Sequence, residues 1–538
     1  MPPFYEKEVF LVYGKSYSAC LYGVDGVIVE VEVDITNGLP ATAVIGLPDS
    51  AVREATDRVK AALKNCGFRF PNRRITISLA PADLRKEGSS LDLAIALGIL
   101  LSDEQLRLPE GRRFVAIGEL SLDGTLRPVP GVLAMADCAK RQGFDAVLIP
   151  PQNANEAALV NGIDIYALPH LRMLVPESQR EELAAGRERR YDFDADGLLY
   201  LPQASLPASF PAAASPDGDD YIDVFGQEHA KRALTIAASG MHNILLSGPP
   251  GTGKTMLIKR LPSIMTELSE NEALEATKIL SAAGRLPSAS QGLIRKRPFR
   301  SPHHTISPSG LAGGGSIPRP GEVSLAHRGV LFLDELPEFS RGTLEVLRQP
   351  LEDRIVTISR ARASFTFPAH FMLACSMNPC PCGGGRGEDG YSACTCSASA
   401  IARYRSRISG PLLDRIDMQI EVPQPSSGDS AAPGLSSADL KNRVEAAAER
   451  QRARYRELPA ESNSDLSGAL LRKYASPGRE AALLLDTAIG ALGLSMRSRD
   501  RILKLALTIA DLEDCAEIRT EHVAEALQYR QMDRRERD

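Results

Sequence analysis

No stretch of this 538-residue chain reaches the ~18 consecutive apolar residues that a membrane-spanning helix needs. The longest run, Leu91 to Leu101, is broken at its second residue by Asp92. A secretory signal core is missing too, because Glu6, Lys7 and Glu8 stand where its apolar residues would lie. The two absences point to a cytoplasmic protein with no membrane partner. Nine cysteines are too few for a disulfide framework in a chain of this length. An excess of positive charge is lacking as well. Sixty-three Lys and Arg face 68 Asp and Glu, a net charge of −5, so any nucleic-acid contact must come from a local basic patch. No fixed-period repeat is present. With 43% hydrophobic and 24% charged residues, the composition excludes collagen-like, fully disordered and disulfide-scaffold classes.

The length suffices for about three or four domains, and the patterning divides it accordingly. Residues 1–176 read as one mixed α/β unit. Val27 to Val33 alternates apolar and acidic residues as a half-buried strand does, and Val52, Ala55, Val59, Ala62 and Leu63 fall at helical spacing. Arg74 to Leu79, Phe114 to Ile117 and Ala146 to Ile149 read as strands, and Leu91 to Leu101 as a buried helix. Residues 177–220, charged and then rich in Pro, Ala, Ser and Asp, have the composition of a linker. A second α/β unit follows at 221–424, a second linker at 425–437, and a helical segment at 438–538. The fold class is α/β multidomain.

Gly248, Pro249, Pro250, Gly251, Thr252, Gly253, Lys254 and Thr255 match the phosphate-binding pattern G-x-x-x-x-G-K-[ST]. A strand, Asn243 to Ser247, precedes them, and a helix pattern, Met256 to Met265, follows. The glycines let backbone N–H groups curl around phosphates at a helix N-terminus. Lys254 is placed to reach the β- and γ-phosphates of ATP, and Thr255 to offer a hydroxyl to Mg²⁺. About 80 residues later, the apolar strand Val330 to Leu333 ends in Asp334 and Glu335. Asp334 is the expected second Mg²⁺ ligand, and Glu335 the expected general base on the attacking water.

Two further clusters carry chemistry. Cys380, Cys382, Cys394 and Cys396 form two C-x-C pairs separated by eleven residues, a set of thiolates suited to a structural Zn²⁺. Cys375, on an apolar strand, is expected in the core. Between Leu293 and Val330, six basic residues (Arg295, Lys296, Arg297, Arg300, Arg319 and Arg328) face one acid, Glu322. His303, His304 and His327 join them, and Gly310 to Gly315 suggests a mobile loop. Arg354, Arg360 and Arg362 then flank what reads as a β-hairpin. Arg295, Lys296, Arg297, Arg300, Arg354, Arg360 and Arg362 are the expected contacts to DNA phosphates.

Asp334–Glu335 resembles the Walker B element of AAA+ ATPases, and Gly226 to Leu234 resembles their adenine-covering segment. Phe371 to Leu373 with Ser376, Met377, Asn378 and Pro379 looks like sensor 1, with Asn378 orienting the hydrolytic water. Gly410 to Asp417 resembles the arginine-finger segment of the magnesium-chelatase branch, and Ser495 to Arg497 resembles sensor 2. Gly46 to Arg53, Leu79 to Gly88 and Arg300 to Thr305 are similar to segments of the ComM or YifB family of magnesium-chelatase-like AAA+ ATPases. That resemblance covers nearly the whole chain outside 177–220. It implies an N-terminal domain with the Lon-protease fold (that of the second domain of ribosomal protein S5), a central AAA+ module and a C-terminal helical lid. It further implies a homo-hexamer in which Arg415 acts in the neighbouring subunit's site, with Arg497 as the sensor 2 arginine. The activity implied is an ATP-driven helicase promoting branch migration of DNA during natural transformation. The basic segments fall where this branch of AAA+ proteins inserts loops into its central pore.

Lon-type proteolysis needs a serine and a lysine. Ser90 is the nearest match to the serine, but Leu133 occupies the lysine position and Lys140 lies about two helical turns on. An apolar residue takes no proton, so peptidase activity is not expected. A metal-chelatase motor subunit and a protein-remodelling AAA+ motor are the alternatives to the DNA motor. Neither predicts stimulation by DNA.

Overall fold

The computed structural model describes residues 13–86, 88–186, 190–200, 220–286, 292–315, 318–360, 363–384, 394–424 and 434–530. The chain divides into two compact units, one of Met1–Pro211 with Thr277–Leu293, the other of Ala212–Ala276 with Ile294–Asp538. Among the described residues no helix is long and apolar enough to cross a membrane.

In the first unit the alternating segment forms the long strand Asp25–Thr36. It pairs antiparallel with Gly14–Tyr22 on one side and with Arg74–Ala80 on the other. Ala41–Ile45 adds a parallel edge strand. A separate parallel sheet holds Phe114–Ala116, Ala146–Ile149 and Asp164–Ala167. The helix Asp92–Ser102 is apolar on all faces and almost wholly buried, as such a pattern requires. Helix Ser50–Asn65 instead buries one stripe: Val52, Ala55, Val59, Ala62 and Leu63. Its start is fixed by the Asp49 carboxylate, which accepts from the Val52 N–H at 2.8 Å.

The expected linker at 177–220 is corrected in its first half. Glu177–Ala184 is a helix, and Tyr191–Asp192 pairs parallel with Leu106–Arg107. Leu183, Tyr191, Phe193 and Leu198 pack into the core of the first unit, and those four apolar residues outweigh the charged composition around them. Residues 201–219 lie outside the described residues. Residues 277–293 also belong to this unit, where Lys278 meets Asp137 at 2.7 Å, although they had been read as part of the second.

The second unit is built on a five-stranded parallel sheet in the order Phe299–Arg300, Val330–Leu333, Met372–Met377, Ile244–Ser247, Met418–Glu421. Three of its strands, Ile244–Ser247, Val330–Leu333 and Met372–Met377, are fully buried and mostly apolar, as sheets covered on both faces require. Asn243 zips three of them at their base. Its N–H donates to Asp417 at 2.9 Å, its amide nitrogen to the Arg415 carbonyl at 3.0 Å, and its amide oxygen accepts from the Leu373 N–H at 2.8 Å. The single helix expected over Met256 to Met265 is two short ones, Lys254–Lys259 and Leu261–Ile264, because Pro262 has no N–H to continue the first.

The C-terminal segment is helical as expected, with Ser437–Arg454, Arg479–Leu492, Met496–Leu512 and Thr520–Gln528 as its longer helices. Its apolar faces (Leu440, Val444, Ile502, Leu505 and Ile509) share one core with Ile244, Leu246 and Phe332 of the sheet. A buried polar link joins the two parts. His242, fully buried beside the first residue of the P-loop strand, donates from Nε2 to Thr508 Oγ1 at 2.7 Å, and Thr508 passes its own proton to the Lys504 carbonyl at 3.0 Å.

Burial pushes the His242 imidazole down to about 4, against the opposing pull of Asp417 at 4.0 Å. The ring is therefore neutral when folded, whereas the unfolded chain takes up a proton below pH ~6.5. Its contribution to stability is present above that pH and is lost as pH falls towards 4. The urea midpoint of the second unit is expected to drop between pH 7 and pH 5. Replacing the ring by an amide in His242→Gln should flatten that dependence, and an unchanged slope would refute the assignment.

Candidate nucleotide-hydrolysis site

The strand order brings the ends of three parallel strands together, and each delivers one group. From Ile244–Ser247 the chain enters the P-loop, where Gly251 (φ +78°) and Gly253 (φ +85°) take left-handed conformations that glycine adopts without strain. Helix Lys254–Lys259 starts directly after Gly253. Lys254 Nζ donates to the Gly248 and Pro249 carbonyls, each at 2.7 Å, and to Asn378 Oδ1 at 3.4 Å. Burial pushes its ammonium below the ordinary lysine range, with Asp334 opposing. Thr255 Oγ1 donates to Asp334 Oδ2 at 2.9 Å. Ser376 donates to the other Asp334 oxygen. Asp334 thus joins the P-loop helix to the Met372–Met377 strand.

Glu335 follows in the left-handed region at φ 54°, ψ 52°, a conformation that costs a non-glycine residue of the order of 1–3 kcal/mol. Its N–H donates to Asp334 Oδ1 at 3.1 Å and to Ser376 Oγ at 3.4 Å, which holds the turn. The carboxylate is exposed, and its Oε2 lies 3.7 Å from His304 Nδ1. His304 is itself packed between His303, at 4.1 Å between ring centres, and the edge of Phe339. Lys254, Thr255, Asp334, Glu335 and Asn378 are therefore brought together around one point. The arrangement supplies a phosphate cradle with its ammonium, a hydroxyl–carboxylate pair fitted to Mg²⁺, and an exposed base beside them.

Sequence reasoning missed the supporting groups. Ser376 stands two residues before Asn378 on a strand, so both face the same side, and a lone polar residue at that spacing was the available signal. In the sequence His303–His304 stands only as part of the basic segment. Its connection to Glu335 depends on chain segments about 30 residues apart, and nothing local reveals that. Arg415 and Arg497 converge on a carboxylate not singled out, Glu352. Arg415 forms an ion pair with it and donates to the Pro411 carbonyl at 2.6 Å, with its side chain 8% exposed. Arg415's hydrogen bond, reinforced by the fields of Arg415 and Arg497, holds the Glu352 carboxyl below its usual range. Arg497 itself is exposed.

The basic residues divide. Arg297 is no surface contact. It donates to the Thr266 carbonyl at 2.8 Å and the Arg328 carbonyl at 2.7 Å, and pairs with Glu272 at 3.3 Å with its side chain 9% exposed. Arg300 is held by both oxygens of Glu322, at 2.6 and 2.9 Å. Arg354 pairs with the buried Asp465. Arg297 is thus an internal strut rather than a surface contact, whereas Arg300 and Arg354, each paired with a carboxylate, keep 33% and 36% of their side chains exposed. Arg362 lies outside the described residues. Arg295 is partly exposed, and Lys296, Arg319 and Arg360 are exposed. The expected hairpin is present, with Ile355–Arg360 antiparallel to Ala363–Pro368. The glycine segment is packed rather than a loose loop: Pro308–Ala312 is helical, and Gly313–Gly314 pairs with Arg319–Pro320. Arg360 donates to the Gly315 carbonyl at 3.0 Å, so the two hairpins lie side by side.

The four clustered cysteines place their sulfurs within 4.8 Å of one another. Cys375 is fully buried on its strand, and burial pushes its thiol above the ordinary range. In the first unit Ser90 is buried and donates to the Ala19 carbonyl at 3.2 Å, and Leu133 is fully buried.

Three family models match the chain. Magnesium chelatase, subunit ChlI, matches residues 220–430, subunit ChlI of Mg-chelatase matches 31–153, and the ChlI C-terminal model matches 434–530. The chain is 43% identical over 515 residues to the YifB protein of Salmonella typhimurium, covering 95% of this chain and 96% of that one. It is 42% identical over 519 residues to competence protein ComM of Haemophilus influenzae, covering 96% and 97%. A shorter match, 27% over 162 residues and 29% of either chain, links it to Lon protease 2 of Bacillus subtilis.

His304 is placed to orient the Glu335 carboxylate without touching the phosphate cradle. His304→Ala is expected to lower kcat for ATP hydrolysis by roughly tenfold, a fraction of the 10²–10⁴ that general-base catalysis contributes, while ATP affinity changes little. His304→Gln should recover part of the loss. Equal losses in affinity and turnover would show that the histidine supports the fold instead.

Proposed function

The chain belongs to the YifB/ComM family of magnesium-chelatase-like AAA+ ATPases, and on that premise we propose that it is an ATP-driven motor acting on DNA. The observation that carries the reading is double: a complete hydrolytic set around Asp334, and two basic hairpins in the same unit that touch through Arg360 and Gly315. Lys254 and the P-loop N–H groups would hold the phosphates of ATP. Thr255 and Asp334 would hold Mg²⁺, which when bound neutralises phosphate charge. Glu335 draws the proton from the attacking water, and Asn378 positions that water. Arg415, released from Glu352, serves the site of a neighbouring subunit, and Arg497 serves its own. This requires a ring, for which a homo-hexamer is the family's form.

DNA enters the reading through charge and through a relative. Arg319 and Arg360 are exposed cations on the paired hairpins, and Lys296 is a third exposed cation of the same unit, all suited to backbone phosphates and blind to sequence. One relative is named a competence protein, which supports a role with transforming DNA; branch migration is the specific action we propose for this chain. The first unit is, on this reading, a Lon-like scaffold without peptidase chemistry, since Ser90 has no base and Leu133 sits where a lysine is needed. The C-terminal helices act as the lid of the nucleotide site. The four cysteines bind a structural Zn²⁺: a tetrahedron with ~2.3 Å metal–sulfur bonds has edges of about 3.8 Å, and the sulfurs of Cys380, Cys382 and Cys394 lie 3.3, 3.4 and 3.8 Å apart.

The test is the steady-state ATPase rate with and without single-stranded and forked DNA across a salt series. Stimulation by DNA that weakens as salt rises is expected. Combined Lys296→Ala, Arg319→Ala and Arg360→Ala should remove the stimulation, and Glu335→Gln should bind ATP without hydrolysing it. An ATPase indifferent to DNA would overturn the DNA reading and leave a protein-remodelling or chelatase-type motor.

A further inference from the structure

The cysteine cluster is joined to the hydrolytic site on three sides. Upstream, Cys380 follows Asn378 by two residues. Downstream, Ser397 caps the helix Ala398–Arg405, and the phenol of the buried Tyr404 of that helix lies beside the Asn378 backbone. Just past the helix, Arg407 donates to the Pro337 carbonyl at 3.2 Å and to Glu338 at 3.0 Å, in the turn that leads away from Glu335. On the third side, Gly383 (φ +75°) lies against the P-loop. A Cβ there would come within 2.7 Å of Pro250 Cγ.

We propose that the four thiolates, holding Zn²⁺, form a staple that fixes Asn378 and the Pro250 side of the P-loop, so that ATP hydrolysis requires the metal. This rests on the zinc reading above and adds what the metal does. Free thiols attract one another weakly, so ordering both C-x-C pairs without a metal is opposed by chain entropy. Four metal–sulfur bonds reverse that balance. The connected groups are those whose placement sets turnover, and a displacement of about 1 Å at such groups costs on the order of 10²-fold in rate. The cluster has no route to phosphate itself, so its loss should be felt in turnover more than in nucleotide affinity.

The experiment uses the full chain and reads metal and turnover separately. Elemental analysis of purified protein should give one zinc per chain. Combined Cys382→Ser and Cys394→Ser should remove the zinc and lower kcat at least tenfold, with a smaller change in the affinity for a fluorescent ATP analogue. Cys515→Ser, outside the cluster, should alter neither. Because the double variant could unfold locally, Gly383→Ala provides a second arm: all four thiolates remain, but the new methyl displaces Pro250. That variant should keep one zinc and still lose turnover. Absence of zinc from the wild type overturns the proposal while leaving the ATPase reading intact. Full turnover in the zinc-free double variant, or in Gly383→Ala, overturns the coupling and leaves a zinc that only stabilises. Wild-type protein with zinc but no hydrolysis refutes the ATPase reading itself and the coupling with it.

Discussion

One carboxylate organises the catalytic half of this protein. Asp334 accepts from Thr255 on the P-loop helix with one oxygen and from Ser376 on the neighbouring strand with the other. It thereby spans the Met372–Met377 strand that separates the P-loop strand from the acidic one. The chain needs a parallel sheet to do this, because only parallel strands deliver their C-terminal ends to one edge. The apolar strands and the Asn243 zipper at their base serve that end. They hold three backbone exits in register so that side chains from three separate stretches of the sequence meet.

Much of this was legible in the sequence. The P-loop and the Asp334–Glu335 pair are local signals: a run of glycines that only a tight phosphate-binding turn explains, and an apolar strand that ends abruptly in two acids. The helix and strand periods in the first unit were equally plain, because a stripe such as Val52, Ala55, Val59 needs no tertiary information. What was not legible was partnership. An arginine in a basic segment carries no mark of whether its counter-charge is a phosphate outside or a carboxylate inside. Glu322 is 22 residues from Arg300 and Asp465 is 111 from Arg354, so folding alone decided those cases. The linker between the units misled for the opposite reason, since its average composition concealed four well-placed apolar residues.

The two halves of the molecule treat their polar groups differently. In the first unit, Ser90 is bonded to a backbone carbonyl and Leu133 lies in the core. In the second, polar groups are exposed, as at Glu335, or buried in hydrogen-bonded networks, as with His242, Thr508 and Asn463. Buried networks of that kind discriminate between one packing and another, because a misplaced helix leaves donors without acceptors.

The left-handed backbone of Glu335 has an evolutionary consequence. Glycine would occupy the same turn without strain. If Glu335 is the base proposed above, selection for thermal robustness alone would favour losing the residue on which turnover depends. Laboratory evolution of this protein for stability would have to score activity in every round, or it would enrich chains that fold well and do no work.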